Sequence, residues 1–492
     1  MYKKIALFRE IQEFYRQTLK PALQSNMNFH NISTADLGYF QSILPAERVH
    51  SSEEHLLRCA SDETEDFVFP PELVLQPTST KEVSRVLAYC NKQGIPVTPR
   101  GAGTGLSGGA LPLYGGVCLD MSRMNKIVQI DKDNFQVTTE PGIITELLQG
   151  AVAEEGLFYP VDPSSRGSCM IGGNISENSG GPRAVKYGTV KDYVLNLEVV
   201  LPNGEIIWTG ANTLKNATGY NLTQLIVGSE GTLGVVTKIV LRLLPYPMHN
   251  LLMLVPFKSA EDACRAVNAI LLAGHNPSAL EFMERDALIC AMNYYQSSSI
   301  AVPDDIEAHL LIETDGNNPA VLLQEMEQIA TIMEQFPTGE ILFADTEQQK
   351  TELWRLRRIV GEAVKQTSVY KEEDTVVPRA HLPQLLQVVK KVGRAYGFES
   401  VCYGHAGDGN LHVNILKGNL DDDAWNQKLP FAIREIFEYV HSVKGTLSGE
   451  HGIGYVQRPY MDIVFGPIQM ELMRSIKKIF DPNGILNPGK IL

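Results

Sequence analysis

The stretch PRGAGTGLSGG, Pro99–Gly109, follows the apolar run IPV and carries glycines at 101, 103, 105, 108 and 109. Before it come PELVLQP and a helix-patterned segment from about Lys81 to Gln93, so the order reads strand, helix, strand, loop. A loop almost without side chains exposes its backbone N–H groups. A row of such donors closes readily on a diphosphate, whose oxygens need many hydrogen bonds at once. No lysine followed by serine or threonine stands at P-loop spacing, and ALPLYGG beyond the loop does not continue as a helix. Neither the Walker nor the Rossmann pattern is therefore met. Taken alone, the loop is equally compatible with a glycine-rich surface turn.

Outward from the loop, VCLDMSRM, FQVTTEPG, LNLEVVLPNGEIIW and LGVVTKIVLRLLP are short Val, Ile, Leu and Thr runs separated by turn residues. They predict an α+β domain over 67–247, with a hairpin at the PNGE turn, 202–205. After Pro245 the glycines thin out, and SAEDACRAVNAILLAG and NPAVLLQEMEQIATIMEQF show helical three-and-four spacing. These helices alternate with LLMLVPF, HLLIET, VCYGHAG and LHVNIL. The pattern predicts a second α+β domain, 248–470, of strand-helix-strand units on an antiparallel sheet. A tail, 471–492, and an N-terminal helical segment, 1–66, flank the two. The N-terminal segment opens on the amphipathic MYKKIALFREIQEFYRQ and ends in the acidic run SDETED, read as a solvated loop.

The chain has 492 residues, 44% hydrophobic and 20% charged, enough for two cores and a large ligand. Its formal charge of -14, with scattered Lys and Arg, argues against nucleic acid as a partner. Seven cysteines without short paired spacing suggest reduced thiols in the cytoplasm and encode no iron-sulfur site. No stretch is apolar enough to span a bilayer.

In the second domain, YGHAGDGNLHVNIL and SGEHGIG place His405, His412, Glu450 and His451 beside flexible glycines. Strand alternation puts His412 and Asn414 on one face. Two imidazoles and a carboxylate suit a divalent ion such as zinc or manganese, with positions left for substrate. The stretch LWRLRRIVGEAVKQTSVYKEED offers Arg357 and Lys371 as cationic clamps for a carboxylate, or else a basic helix face in water.

Three further clusters accompany the first loop: 161–188 (VDPSSRGSCMIGGNISENSGGPRAVKYG), 214–222 (LKNATGYNL) and 226–239. In this order they resemble the flavin domain of the vanillyl-alcohol-oxidase superfamily, in the branch of glycolate oxidase D subunits, D-lactate dehydrogenases and D-2-hydroxyglutarate dehydrogenases. The resemblance covers roughly residues 60–492. It implies a two-domain flavoprotein, an FAD-binding domain joined to an α+β substrate domain with an antiparallel sheet.

The resemblance assigns the FAD diphosphate to Arg100, Gly101, Gly103, Thr104, Gly105, Leu106 and Ser107. It assigns the isoalloxazine and ribityl side to Pro160, Asp162, Gly167, Ser168, Gly172, Gly173, Asn174, Asn178, Gly180, Gly181 and Tyr187. A strand with Glu230, Gly231, Gly234 and Val235 would close over the adenine, beside a turn of Glu140, Pro141 and Gly142. Asn487 joins the site from the tail. Thr104 stands where some relatives carry a flavin-bonded histidine, so FAD is expected to be dissociable.

By the same resemblance His405, His412 and Glu450 bind the ion, and Arg357, three after Trp354, and Lys371 bind substrate. A threonine found four residues beyond that arginine in D-2-hydroxyglutarate enzymes is Gly361 here. The implied reaction oxidises glycolate, D-lactate or a similar D-2-hydroxy acid, chelated by the metal, to the 2-oxo acid. His451 takes the hydroxyl proton, or else only positions the substrate, and flavin N5 takes the hydride. Electrons would pass to a protein or quinone acceptor, an iron-sulfur subunit being one candidate. A homodimer and attachment to a membrane through a partner are further expectations. Oxygen-using oxidases, a metal-dependent hydrolase and a silent flavin-binding subunit are the rival readings.

Overall fold

The computed structural model describes residues 29–64, 67–296, 300 and 302–492, so the amphipathic opening segment lies outside the described residues. Strands β1 (Val49–His50), β2 (Leu73–Leu75), β3 (Val97–Arg100) and β4 (Val117–Asp120) form a sheet in the order β1-β2-β4-β3, with β2 and β3 parallel to β4. The helix between β2 and β3 runs Thr80–Gln93. Ser79 caps its start, and Gly94 ends it in the left-handed region. The first glycine loop leaves the end of β3, as its sequence predicts.

A second, antiparallel sheet takes β5 (Ile127–Asp131), β6 (Gln136–Thr139), β8 (Val194–Val200), β9 (Ile206–Trp208) and β10 (Val235–Arg242) in the order β5-β6-β10-β8-β9. The short β7 (Leu157–Phe158) and β11 (Leu244–Pro245) pair beside it. The hairpin at β8 and β9 forms, though only Gly204 of its turn takes a positive φ. Leu201 and Glu205 bond across a three-residue loop, which needs one left-handed residue and not the two of a primed turn.

The second domain is built on β12 (His249–Phe257), β13 (Ala279–Glu284), β14 (Ala308–Gly316), β15 (Leu342–Phe343), β16 (Tyr370–Val376), β17 (Glu399–His405) and β18 (Asn410–Leu416). Their order is β15-β12-β14-β13-β17-β18-β16, and every pairing is antiparallel. One face, with Phe282, Leu411, Val413 and Ile415, is buried under helices 260–272, 319–333, 382–396 and 429–442. The other face meets helices 285–295, 347–358 and 360–365. That division leaves alternate residues of β16, β17 and β18 free to build a polar site.

After helix Pro467–Phe480 the tail returns to the first sheet. Val97 donates to the Ile485 carbonyl, and the Asn487 N–H donates to the Val97 carbonyl. No helix among the described residues is long and apolar enough to cross a membrane.

Candidate active site

One cavity of about 460 Å³ is walled by both domains. The first domain contributes Arg100–Leu106, Gly109, Pro141, Ser168, Gly172–Asn174, Glu230, Gly231, Gly234 and Val235, and the second contributes Arg357, Glu372, Tyr403, His412, Glu450 and His451. Most of the glycine-loop residues singled out in the sequence therefore line a common space. Gly103 has to be glycine: its φ is 75°, and a Cβ there would lie 2.1 Å from Arg100 Nη2. The Arg100 guanidinium passes under the loop and donates to the carbonyls of Arg58 and Ser61. Arg100 thus props the loop from beneath. Ser107 Oγ, buried beside it, has no hydrogen-bond partner among the described residues.

Strand register assembles the other wall. Glu281 of β13 lies opposite His405 of β17, while Tyr403 of β17, His412 of β18 and Asp374 of β16 form one cross-strand row. Asn414 lies opposite Glu372 in the next row on that face. His405 Nδ1 is 2.8 Å from Glu281 Oε1, and its Nε2 is 3.2 Å from Glu450 Oε1. His412 Nε2 is 3.6 Å from the same Glu450 oxygen. His405, His412 and Glu450 thus each offer a ligand atom, all within 4.8 Å of one another, and so do Glu372, His412 and His451.

The loop carrying Glu450 and His451 has no regular structure, and Asp374 holds it. Asp374 Oδ2 accepts the N–H groups of Gly449, Glu450 and His451 at 2.8, 2.8 and 2.9 Å and the Ser448 hydroxyl at 2.9 Å. Its Oδ1 accepts from Asn410 Nδ2 at 2.7 Å. Across the domains, the Gly180 N–H donates to Glu450 Oε2 at 3.1 Å. A side chain at Gly180 would meet that oxygen at 2.9 Å. Glu230 accepts the N–H groups of Ile453 and Gly454.

Burial and mutual charge shift every titratable group of the cluster. Burial alone would raise the Glu450 carboxyl, but His405, His412 and His451 hold it well below the ordinary carboxylate range. Burial likewise disfavours charge on His405, yet Glu281 and Glu450 raise it well above a free imidazole. Burial, only partly offset by Asp374, pushes His412 down to about 3 and leaves a neutral donor. Against the same burial effect, Asp374, Glu372 and Glu450 raise His451. Among the described residues, His412 Nδ1 and Arg357 Nε, both of cavity-lining residues, are buried without hydrogen-bond partners. Orphaned polar atoms converging at a cavity fit a metal and a polar substrate that complete them.

Arg357 is 2% exposed on helix Glu347–Arg358, with Nη2 2.6 Å from Glu281 Oε2 and its guanidinium over the Tyr403 ring. Trp354, three residues earlier, anchors that helix by donating to Glu313. Lys371 does not join the site. It pairs in register with Ile415, on the opposite face from Glu372 and Asp374, and its Nζ lies over the Trp425 ring. Strand parity reverses the expectation.

Several residues expected on the flavin side serve as braces. Asp162 is fully buried with Arg358 at 2.7 Å, and the Tyr187 hydroxyl donates to Asp315, so both reach into the second domain. Asn178 accepts the Lys191 N–H, and Gly181 packs on the Asp162 backbone. Pro160 and Gly167 do not reach the cavity wall. Glu230 and Gly231 lie in a turn ahead of β10, not on a strand. Asn487 donates to the carbonyls of Gly109 and Glu230 and so ties the tail to both. The acidic run is not simply solvated: Asp62 accepts the Ala110 N–H beneath the loop, and Glu63 lines the cavity.

Two domains sharing one cavity, a glycine-walled cleft against a histidine-carboxylate wall, define a two-domain cofactor-dependent oxidoreductase. Family models match in the same order: an FAD binding domain over residues 71–210 and the C-terminal domain of FAD linked oxidases over 246–491. The glycolate oxidase subunit GlcD of Bacillus subtilis (strain 168) is 39% identical, over 87% of this chain and 91% of its own. The D-lactate dehydrogenase of Anaerostipes hadrus is 37% identical, over 86% and 89%. A probable mitochondrial D-2-hydroxyglutarate dehydrogenase of Oryza sativa subsp. japonica is 35% identical, over 98% and 86%. Among solved structures, p-cresol methylhydroxylase with substrate bound superposes with a TM-score of 0.78 at 18% identity, covering 94% of this chain and 98% of its own, which speaks for the fold. The chain belongs to the FAD-linked oxidase family. The expectation of a two-domain α+β flavoprotein is met.

Proposed function

We propose that this protein oxidises a D-2-hydroxy acid, glycolate, D-lactate or a close relative, to the 2-oxo acid, using dissociable FAD and a divalent ion. The observation that carries this reading is the shared cavity, in which the glycine loops face His412, Glu450, His451 and Arg357. A hydrolase would leave the glycine-lined half without a purpose. When bound, FAD supplies a two-electron acceptor, and an ion such as zinc or manganese held by His405, His412 and Glu450 supplies a Lewis acid.

The chain's own residues do the rest. The backbone donors of Gly101–Leu106 hold the diphosphate, and Arg357 grips the substrate carboxylate. From the strand face it shares with His412, Asn414 offers its amide to the substrate's oxygens. His451 Nε2 accepts the hydroxyl proton, and the O–H electron pair becomes the second C–O bond as the C–H hydrogen leaves with its two electrons. Electrons then pass to a protein or quinone acceptor, with an iron-sulfur subunit one candidate, since none of the seven cysteines forms a cluster motif. Their thiols are free, as suits the reducing cytosol. Anaerobic addition of glycolate or D-lactate should bleach the flavin, and absence of bleaching by every 2-hydroxy acid would contradict the reading.

Two further outcomes follow. Acid precipitation should release the flavin into the supernatant because Thr104 offers no covalent link, and flavin retained in the pellet would refute this. Metal loading should also depend on pH. His405 has its pKa raised, so it keeps a proton at pH values where free imidazole has lost one, and the ion must displace that proton. Apparent affinity should therefore fall as pH drops, with release of about one proton per ion in weakly buffered calorimetry. An affinity independent of pH between 6 and 8 on that ~2-unit scale would contradict it.

A further inference from the structure

Resting on that reading, the cavity wall also says which acids fit. The side chain of Glu372 faces the site, with Oε1 3.4 Å from the Tyr403 hydroxyl and 3.5 Å from His412 Nδ1, and only 8% of it is exposed. The adjoining wall is Gly361, where any Cβ would lie 2.9 Å from that hydroxyl, so Tyr403 fills the space a longer residue would take. We propose that Glu372 sets the substrate class: the site admits 2-hydroxy acids with one carboxylate and rejects those bearing a second carboxylate on the side chain.

Arg357 is the buried cation for the carboxylate next to the reacting carbon. A distal carboxylate is stabilised by a second cation, and each other Arg or Lys on the cavity wall already holds an acid or a backbone carbonyl, as Arg357 itself holds Glu281. Arg358 pairs with Asp162 at 2.7 Å, Lys365 with Glu63 at 3.3 Å, and Arg100 donates to backbone carbonyls under Gly103. Lys371 faces the far side of the sheet. Glu372 stands in the cavity instead, and in either protonation state a carboxyl offers no positive charge to another carboxylate. A substituent with a hydroxyl donor is accepted, because Glu372 can take its hydrogen bond. A carboxyl facing a carboxylate is a repulsive element of the kind that sets specificity.

The test compares anaerobic flavin reduction by D-lactate and D-glycerate with that by D-malate and D-2-hydroxyglutarate, in the wild-type holoenzyme and in E372Q and E372K. FAD and metal content are measured for each. Wild type should reduce at least about 100-fold faster per molar with the monocarboxylates. The dicarboxylate-to-monocarboxylate ratio should rise at least about 10-fold in E372Q and further in E372K, whatever happens to the separate constants. Equal reduction by both classes in wild type, or a ratio unmoved in both variants, overturns the assignment to Glu372. Reduction by neither class overturns the functional reading itself.

Discussion

Replacing Glu450 by glutamine is expected to lower kcat/KM for the hydroxy acid by at least ~10³-fold, about 4 kcal/mol of transition-state stabilisation, while FAD stays bound. One Glu450 oxygen faces His405 Nε2 and His412 Nε2 at 3.2 and 3.6 Å, and the other accepts the Gly180 N–H at 3.1 Å. Glutamine preserves shape and can still accept from Gly180, so the contact between the domains survives. It removes the charge that makes the three ligands a cation site. Elemental analysis should find the metal lost and the flavin spectrum retained. A variant that keeps its metal and its rate would show that Glu450 is not a ligand.

Asp374→Asn should be comparably severe by another route, since Asp374 lies behind the residues that line the cavity. Its Oδ2 gathers four donors from Ser448–His451 while Oδ1 accepts from Asn410. An amide must turn its NH₂ against one of these donor sets, and the remaining bonds lose their charge. Hydrogen bonds to charged groups contribute about 1.5–3 kcal/mol each, so weakening four by about 1 kcal/mol releases the loop. Glu450 and His451 then lose their places together. We expect a ~10³-fold fall in kcat and weaker metal binding. Asp374→Glu should not rescue, because the added methylene pushes the loop out of register. Full rescue by glutamate would mean that charge alone matters.

The severity of the second variant was not visible in the sequence, and the reason is physical. The glycine loop and the residues His405, His412, Glu450 and His451 announce themselves through residue type and local glycines. Glu281, Glu372, Asp374 and Tyr403 do not, because their roles depend on which strands lie side by side. Once β13-β17-β18-β16 is known, the register pairs Glu281 with His405 and Asp374 with His412. Three consecutive acids in the KEEDTV run, of which Glu372 and Asp374 share a strand face, are the hint the sequence holds. Lys371 falls on the opposite face from its expected place for the same cause. Matching it to the family's lysine downstream of Trp354 takes no account of strand parity, and one residue on a strand exchanges faces. Asp162, Tyr187 and Glu230 share a second difficulty. Each is conspicuous in a flavin-side cluster, yet its partners, Arg358, Asp315 and the 453–454 backbone, lie in the other domain.

The central claim joins glycine-bound FAD to a metal-held hydroxy acid in one cavity. Anaerobic stopped-flow reduction of the flavin by D-lactate or glycolate tests it directly, in metal-replete enzyme, after chelation, and after zinc or manganese is restored. The expected result is rapid bleaching, lost by at least ~10²-fold on chelation and recovered on restoring the ion, with FAD content constant. Bleaching at an unchanged rate in metal-free enzyme would contradict the role given to His405, His412 and Glu450.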